Sequence, residues 1–382
     1  MKKIIPHIKE FTKRADMVLF SLCLICAVFG IIIISSATAS FESVRFVLVQ
    51  TTALFIGIIL FVIFTVIDVD IIADKWAYVL AFEVILMLLL VTPLGYADNT
   101  GNRAWLRFGI MGVQPTEVIK IGFIIVMAKQ MTYLKNYKDI NSVSSIASLL
   151  IHCGAILLLI MVISRDMGSA LVFLFLFIVM LYAAGVKLYW FLIGAAGVAA
   201  FMPIFWTKIL NQRYRDRILC PYNPNIDPQG FDIRWQANQS KLALVNGGLD
   251  GMGLFEGTQT QTARLPAKQT DFIFSVVGEE LGMIACVALI ALLIAIIFRC
   301  IYVGIHSGST MGMLVCFGVA GSLIFQTFEN IGMCLGIAPV IGITLPFVSY
   351  GGSSMFSMFA AVGLVSGIKY RPKPVRFRSY LD

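Results

Sequence analysis

Ten apolar runs, most of them about twenty residues long, decide what this chain can fold into. They lie at 18–36, 46–67, 76–94, 115–133, 146–163, 167–185, 188–206, 272–298, 311–336 and 353–368. A hydrocarbon core about 30 Å thick is crossed by roughly twenty residues rising about 1.5 Å each, so these runs have the length of membrane-spanning helices. Backbone groups in lipid must find partners within their own segment, which makes the helix the default. The expected fold class is an all-α integral membrane protein of about ten transmembrane helices. It forms a single membrane domain over 1–382, with no linker to a soluble module.

Charge supplies the expected topology. The net charge of +8 sits largely on Lys2, Lys3, Lys9, Lys13 and Arg14 before the first run, Lys129, Lys135 and Lys138 after the fourth, and Lys369, Arg371, Lys373, Arg376 and Arg378 after the last. An even number of spans puts these three segments on one side, and the excess of short-loop lysine and arginine makes that side cytoplasmic. Both termini are therefore expected inside. Because the cations flank helices, nucleic-acid binding is the weaker reading. The first run lacks a small-residue cleavage site and reads as a retained helix, not a signal peptide.

The same alternation places 95–114, 164–166, 207–271 and 339–352 outside. The third of these is one large extracellular loop between helices seven and eight. It is polar and rich in glycine and proline (RYRDRI, PYNPNIDPQG, NGGLDGMG), and QANQSKLALVNGG within it suits a short amphipathic helix. Loops this long are usually functional or disordered, and the aromatic and apolar residues of this one favour order. Its Arg213, Arg215, Arg217, Arg234 and Lys241 suggest an anionic ligand or anionic lipid.

Several chemistries are excluded. His7, His152 and His306 all lie away from that loop, so a histidine-based triad or zinc site is not expected. No P-loop or GxGxxG stands in the chain, which leaves ATP-driven transport unsupported. Seven of the eight cysteines fall in or beside the apolar runs; only Cys220 lies in an external segment, so no external disulfide is expected.

Charges at membrane depth are costly and mark functional candidates. Asp271 stands where the eighth run restarts, directly before FIF. Glu117 and Lys120, three apart behind Pro115, share a helix face and can pair. Asp166 sits at the mouth of helix six, Glu279 and Glu280 about two turns into helix eight, Glu83 in helix three, and Glu329 with Asn330 in helix nine. Each has a plainer reading: a structural ion pair for Glu117–Lys120, a helix-start acid for Asp271, helix-bridging contacts for Glu279 and Glu280. Glu83 and Glu329 are read as structural. Near the end, GIAPVIGITLPFVSYGGSS breaks an apolar run with two prolines and four glycines. Broken helices survive at membrane depth only where protein or a water-filled cavity covers the backbone. SYGGSS, opening the tenth helix, suits phosphate oxygens, with a plain helix–helix turn as the alternative.

Four blocks together resemble the SEDS family (shape, elongation, division and sporulation; the RodA, FtsW and SpoVE group). They are GNRAWLRFG with QPTEVIK, RDMGSALV, QSKLALVNGGLDGMGLFEGTQ running into LPAKQTDFIFSVVGEELG, and NIGMCLGIAPVIGITLPFVSYGGSS. The resemblance spans nearly the whole chain. Departures are Ala104 where arginine is common beside the tryptophan, Ala267, Lys268 and Gln269 in the block before Thr270-Asp271, and Ile341 and Thr344.

What the resemblance implies is a peptidoglycan glycosyltransferase. It would polymerise lipid II into β-1,4 glycan strands on the outer face of the bacterial cytoplasmic membrane, beside a class B penicillin-binding protein. Asp271 would be the catalytic base, supported by Glu117, Lys120 and Asp166. The substrate-binding candidates are Arg103, Trp105, Arg213, Lys241, Arg264, Lys268, Ser349, Gly351, Gly352 and Ser353, with Arg217 among the cations for the diphosphate. A divalent cation (Mg²⁺ or Mn²⁺) is compatible with this chemistry, although the sequence shows no carboxylate cage for one. An elongation-type (RodA) role is preferred over a division or sporulation type, on RFVLVQTTALFIG…DVD and the lack of long cytoplasmic extensions. A lipid II flippase and a non-catalytic scaffold for the penicillin-binding protein are the competing classes. A flippase needs polar residues through the full depth, whereas the strongest motifs here cluster in the outer half.

Overall fold

The structure is a computed structural model that describes residues 10–41, 43–97, 102–108, 111–262 and 264–371. All ten expected runs are helical: α1 (Met17–Ala39), α2 (Arg45–Val66), α3 (Trp76–Leu88), α4 (Pro115–Tyr137), α5 (Val143–Leu159), α6 (Met167–Ala184), α7 (Leu188–Ile204), α8 (Ile273–Ile305), α9 (Thr310–Leu335) and α10 (Gly352–Tyr370). Seven of them, α1, α2, α5 to α9 with the wide turns that extend α5 and α7, are long and apolar enough to cross a membrane. The other three differ for identifiable reasons. The α3 run is shorter, ending in a tight turn at Leu89–Val91. Helix α4 carries Glu117, Lys120, Lys129 and Lys135, and α10 has several serines and glycines.

Helix starts follow local chemistry. The side chains of Asp16, Ser142, Asp166 and Ser309 accept backbone N–H groups at the starts of α1, α5, α6 and α9. Pro115 opens α4, where its missing N–H costs nothing. Gly185 and Gly336 end α6 and α9 in the left-handed conformation.

The centre of the bundle is α10, buried over nearly its whole length against α2. Glycines let those two backbones touch. A Cβ at Gly363 would lie 2.8 Å from the Phe61 carbonyl oxygen, and one at Gly367 would lie 2.8 Å from that of Phe64. With no hydrophobic drive between helices in lipid, such close small-residue packing holds spans together. Outward faces are apolar instead; Phe55, Ile151 and Ile284 are each about two-thirds exposed (65%, 72% and 65%), as suits lipid contact.

One feature differs from the sequence reading, and a second extends it. The 95–114 segment contains an antiparallel sheet of β1 (Gly95–Tyr96), β2 (Trp105–Phe108) and β3 (Met111–Val113), not only loop. The 207–271 segment is an ordered cap with three short helices, Gln212–Leu219, Trp235–Gly247 and Thr258–Gln261. The second of these is the helix expected in QANQSKLALVNGG.

The cap is keyed into α8 at a kink. Gly282 has φ 79 inside that helix, and a Cβ there would overlap the Leu249 carbonyl. The backbone groups freed by the kink are taken up by the cap: Met252 and Gly253 donate to the Glu279 and Glu280 carbonyls at 2.9 Å, and Met283 donates to that of Gly248 at 3.0 Å. Glu279 accepts the backbone N–H of Gln259 (2.7 Å) and Thr260 (2.8 Å) and the Thr260 hydroxyl (2.7 Å). Glu280 accepts from Ser36 Oγ at 2.5 Å and Gln261 Nε2 at 2.9 Å. The two glutamates thus bridge helix and cap, as their plainer reading had it.

Candidate active site

Asp271 lies in the turn before α8, half-buried, between an anchor on each side: Leu265 and Phe272 are fully enclosed. Its backbone is stitched to the helix-free stretch between α9 and α10. The Asp271 carbonyl accepts Asn330 Nδ2 at 2.8 Å, and the same nitrogen donates to the Ile343 carbonyl at 2.7 Å. Ser349 Oγ donates to the Thr270 carbonyl at 2.6 Å, and the Tyr350 N–H donates to Gln269 O at 2.8 Å. The carboxylate faces Gly342, which has φ 76; a Cβ there would stand 3.7 Å from Asp271 Oδ2. The broken run therefore presents bare backbone to the acid, at a φ that glycine adopts without strain.

The starts of α4 and α6 meet the same stretch from another side. A Cβ at Gly168 would lie 2.9 Å from the Ile341 carbonyl and 3.4 Å from Asp166 Oδ1. Asp166 accepts Gln114 Nε2 (3.0 Å), Ser169 Oγ (2.7 Å) and the Ser169 N–H (2.9 Å), and Ser169 Oγ reaches Thr116. Burial pushes its carboxyl above the ordinary value, opposed by the bonds from Ser169 and Gln114 and reinforced by nearby Glu117. Glu117 and Lys120 form the expected pair, at 2.9 Å, with side chains 10% and 5% exposed. The blocks carrying Asp271 and Asp166, far apart in sequence, thus converge on residues 341–343, and Gln114 at the start of α4 ties the block of the Glu117–Lys120 pair to Asp166.

Beside this lies a cationic pocket of about 270 Å³, lined by Arg213, Arg217, Arg234 and Lys241 of the cap, by Pro266, and by Gly336, Ala338 and Val340 of the broken run. Asn211 caps the helix carrying Arg213 and Arg217. The helix carrying Lys241 is held on α8 and α9 by Ser240, whose Oγ is 2.5 Å from Ser275 Oγ and donates to the Cys334 carbonyl at 2.8 Å. Arg234 donates to the Cys220 and Asn223 carbonyls, so it braces the pocket wall.

The remaining candidates fall elsewhere. Arg103 and Arg264 are exposed and do not line the pocket. Trp105 opens β2 and packs over Gly112, where a Cβ would be 3.2 Å from the indole. Lys268 is buried; it donates to Ser40 Oγ (2.6 Å) and the Thr260 carbonyl and stands over the Phe41 ring. Burial lowers its ammonium from the usual lysine value, and Glu280 and Glu279 work against that shift. Ser349, Gly351, Gly352 and Ser353 are buried, and three of them bond within the protein. Ser349 Oγ is engaged as above, Gly351 N–H donates to Gln50 Oε1 at 3.1 Å, and Ser353 Oγ accepts the Gln114 N–H at 3.2 Å. Gln50, buried on α2, also donates to the Ser349 carbonyl at 3.0 Å. Its role and that of Asn330 escaped the sequence reading, because a lone amide in an apolar run carries no sign of a partner far along the chain. Among the described residues no three His, Cys, Asp or Glu side chains gather as a metal site, so a divalent cation at Asp271 would take its other ligands from backbone oxygens, water or a bound substrate.

The profile of the family described as "Cell cycle protein" (FTSW_RODA_SPOVE) matches residues 16–373. The chain belongs to this family. It is 35% identical over 303 residues to "Peptidoglycan glycosyltransferase MrdB" of Escherichia coli (strain K12), covering 77% of this chain and 78% of that protein. It is 32% identical over 365 residues to "Stage V sporulation protein E" of Bacillus subtilis (strain 168), covering 92% and 96%. Among solved structures it resembles a chain from "Structural coordination of polymerization and crosslinking by a peptidoglycan synthase complex", with TM-score 0.78, 26% identity and coverage of 93% and 97%. The family membership and the seven apolar helices make this chain a multi-pass membrane protein.

Proposed function

We propose that this protein is an elongation-type peptidoglycan glycosyltransferase that polymerises lipid II, with its site opening on the outer side of the cytoplasmic membrane. One observation carries the reading: an acid, Asp271, and a pocket lined by the cations Arg213, Arg217 and Lys241 border the same broken stretch at one end of the bundle. The opposite end carries Lys129, Lys135 and Lys138, which the positive-inside rule assigns to the cytoplasm.

The chemistry follows from these parts. Asp271 takes the proton of the acceptor sugar's 4-hydroxyl as that oxygen attacks the donor's anomeric carbon. General base catalysis of this kind contributes about 10²–10⁴-fold. The bond to the diphosphate breaks on the opposite face, so an α-linked donor gives a β-linked product. Negative charge gathers on the leaving diphosphate, where preorganised guanidinium and ammonium groups act most strongly. Gly342 keeps a side chain away from the carboxylate, and the polyprenyl tails remain in lipid between helices. Asp166, Glu117 and Lys120 support the stretch from its other side. The name of the synthase complex that this fold matches supports a partner that cross-links the strand, of the class B penicillin-binding type.

The test is incubation of purified protein with lipid II, alone and with its partner transpeptidase, with and without Mg²⁺ or Mn²⁺. Glycan polymer is the expected product. Transbilayer movement of lipid II in vesicles with no polymer under any condition would replace this reading with the flippase. In cells, the chain should restore rod shape to a strain depleted of its elongation polymerase, and should not restore division.

A further inference from the structure

A second cavity lies part-way along the bundle, in a crevice between α2, α3, α4 and α10. It encloses about 300 Å³, and its walls are apolar except at Glu83 and Ser357. Glu83 is seven residues into α3, and Gly122 opposite it is seven residues into α4, which enters from the other end. At about 1.5 Å per residue, both stand roughly 10 Å from their helix ends.

Polar atoms of this crevice lack partners, as do a few elsewhere such as Glu329 Oε1, but only Glu83 leaves both oxygens of one carboxyl unmet among the described residues. Both carboxyl oxygens of Glu83 and the Ser357 hydroxyl have no hydrogen-bond partner among the described residues, at 1% and 2% exposure. Room for the carboxyl is built in, because a Cβ at Gly122 would overlap Glu83 Oε1. Glu117, by contrast, is paired with Lys120, and Glu279 and Glu280 are filled by the cap. A buried acceptor left unmet costs free energy, and an apolar residue would fill a purely structural gap better. Phe82, which lines the crevice, is 53% exposed, so the rim reaches the lipid-facing surface.

We propose that this crevice is a binding site for an apolar, membrane-soluble molecule that carries hydrogen-bond donors, entering sideways from lipid, with Glu83 and Ser357 as its polar contacts. The site is separate from Asp271 and independent of the polymerase reading.

The experiment uses the full chain in lipid nanodiscs and dicyclohexylcarbodiimide as probe. A carboxyl that carries its proton adds across one C=N bond of this reagent. A C–O bond forms, the proton passes to nitrogen and nothing leaves. The adduct rearranges to an N-acylurea that retains the whole reagent's mass. Peptide mass mapping of the wild type should find Glu83 labelled, and Glu83→Gln serves only as the mapping control. Dicyclohexylurea, an apolar molecule with two N–H donors, should slow that labelling several-fold, and a fully N-alkylated urea of similar size should not. Ser357→Ala should reduce the protection while leaving labelling intact. No label on Glu83, or equal protection by both ureas, would overturn the proposal. Labelling as fast with a water-soluble carbodiimide would put the crevice on an aqueous path and overturn lateral entry.

Discussion

At the scale of the residue, Asp271 is a backbone-held acid. Asn330 fixes its carbonyl and that of Ile343 with one amide nitrogen, so a single side chain sets the acid's position against the broken stretch. Asn330→Leu removes both bonds. A displacement near 1 Å at a reacting centre costs about 10²-fold. We therefore expect turnover to fall by roughly that factor, with the KM for lipid II little changed; a steady-state polymerisation assay separates the two. Asp166 gives a prediction in pH. Its carboxyl already holds its proton to higher pH than usual, and the Ser169 hydroxyl bond pulls it back down. Ser169→Ala removes that bond, so the proton is held to higher pH still. If the ionised form supports the site, the acid limb of the pH–activity profile moves upward in Ser169→Ala, and it keeps its wild-type position if Asp166 plays no part.

At the scale of elements, the cap is as much a part of α8 as of the loop. The kink at Gly282 opens backbone groups that residues 248–253 satisfy, and Glu279 fastens the Thr258–Gln261 turn one helical turn earlier. Glu279→Ala would leave two buried N–H groups unmet. Each costs about 1–3 kcal/mol, so stability should fall by roughly 2–6 kcal/mol. A thermal scan in detergent should show the loss, and limited proteolysis should cut first within 254–264. These contacts also explain what the sequence shows poorly. The apolar runs, the broken α9–α10 connection and the short cap helix are legible, because lipid, proline–glycine breaks and local periodicity leave local signatures. The sheet at 95–113 leaves none, since its strands are two to four residues long. Lys268 stands three residues before Asp271 yet turns into the cap, onto Ser40 and Thr260, because the left-handed turn at Ala267 redirects the chain.

At the scale of the whole molecule, one end of the bundle gathers what the family motifs scatter. The cation pocket draws on the cap and on the broken run, which meet only when α8, α9 and the cap are assembled. Arg213, Arg217, Arg234 and Lys241 were all readable as cations in an outer loop, and Arg217 as a diphosphate candidate; that the four share one pocket needed the fold. If this pocket holds the diphosphate, Arg217→Ala should raise the KM for lipid II by about tenfold or more, the equivalent of one charge-assisted hydrogen bond of roughly 1.5–3 kcal/mol. The same variant should weaken inhibition by a polyprenyl diphosphate in parallel, and an unchanged KM would move the diphosphate elsewhere.

The account rests on Asp271 as the proton acceptor, and polymerisation of lipid II by purified Asp271→Ala measures that directly. The variant should keep the wild-type melting profile and still bind lipid II, because the backbone contacts to Asn330 and Ser349 do not involve the carboxylate. It should form no glycan strands detectable above background. Strand synthesis at the wild-type rate would contradict the account.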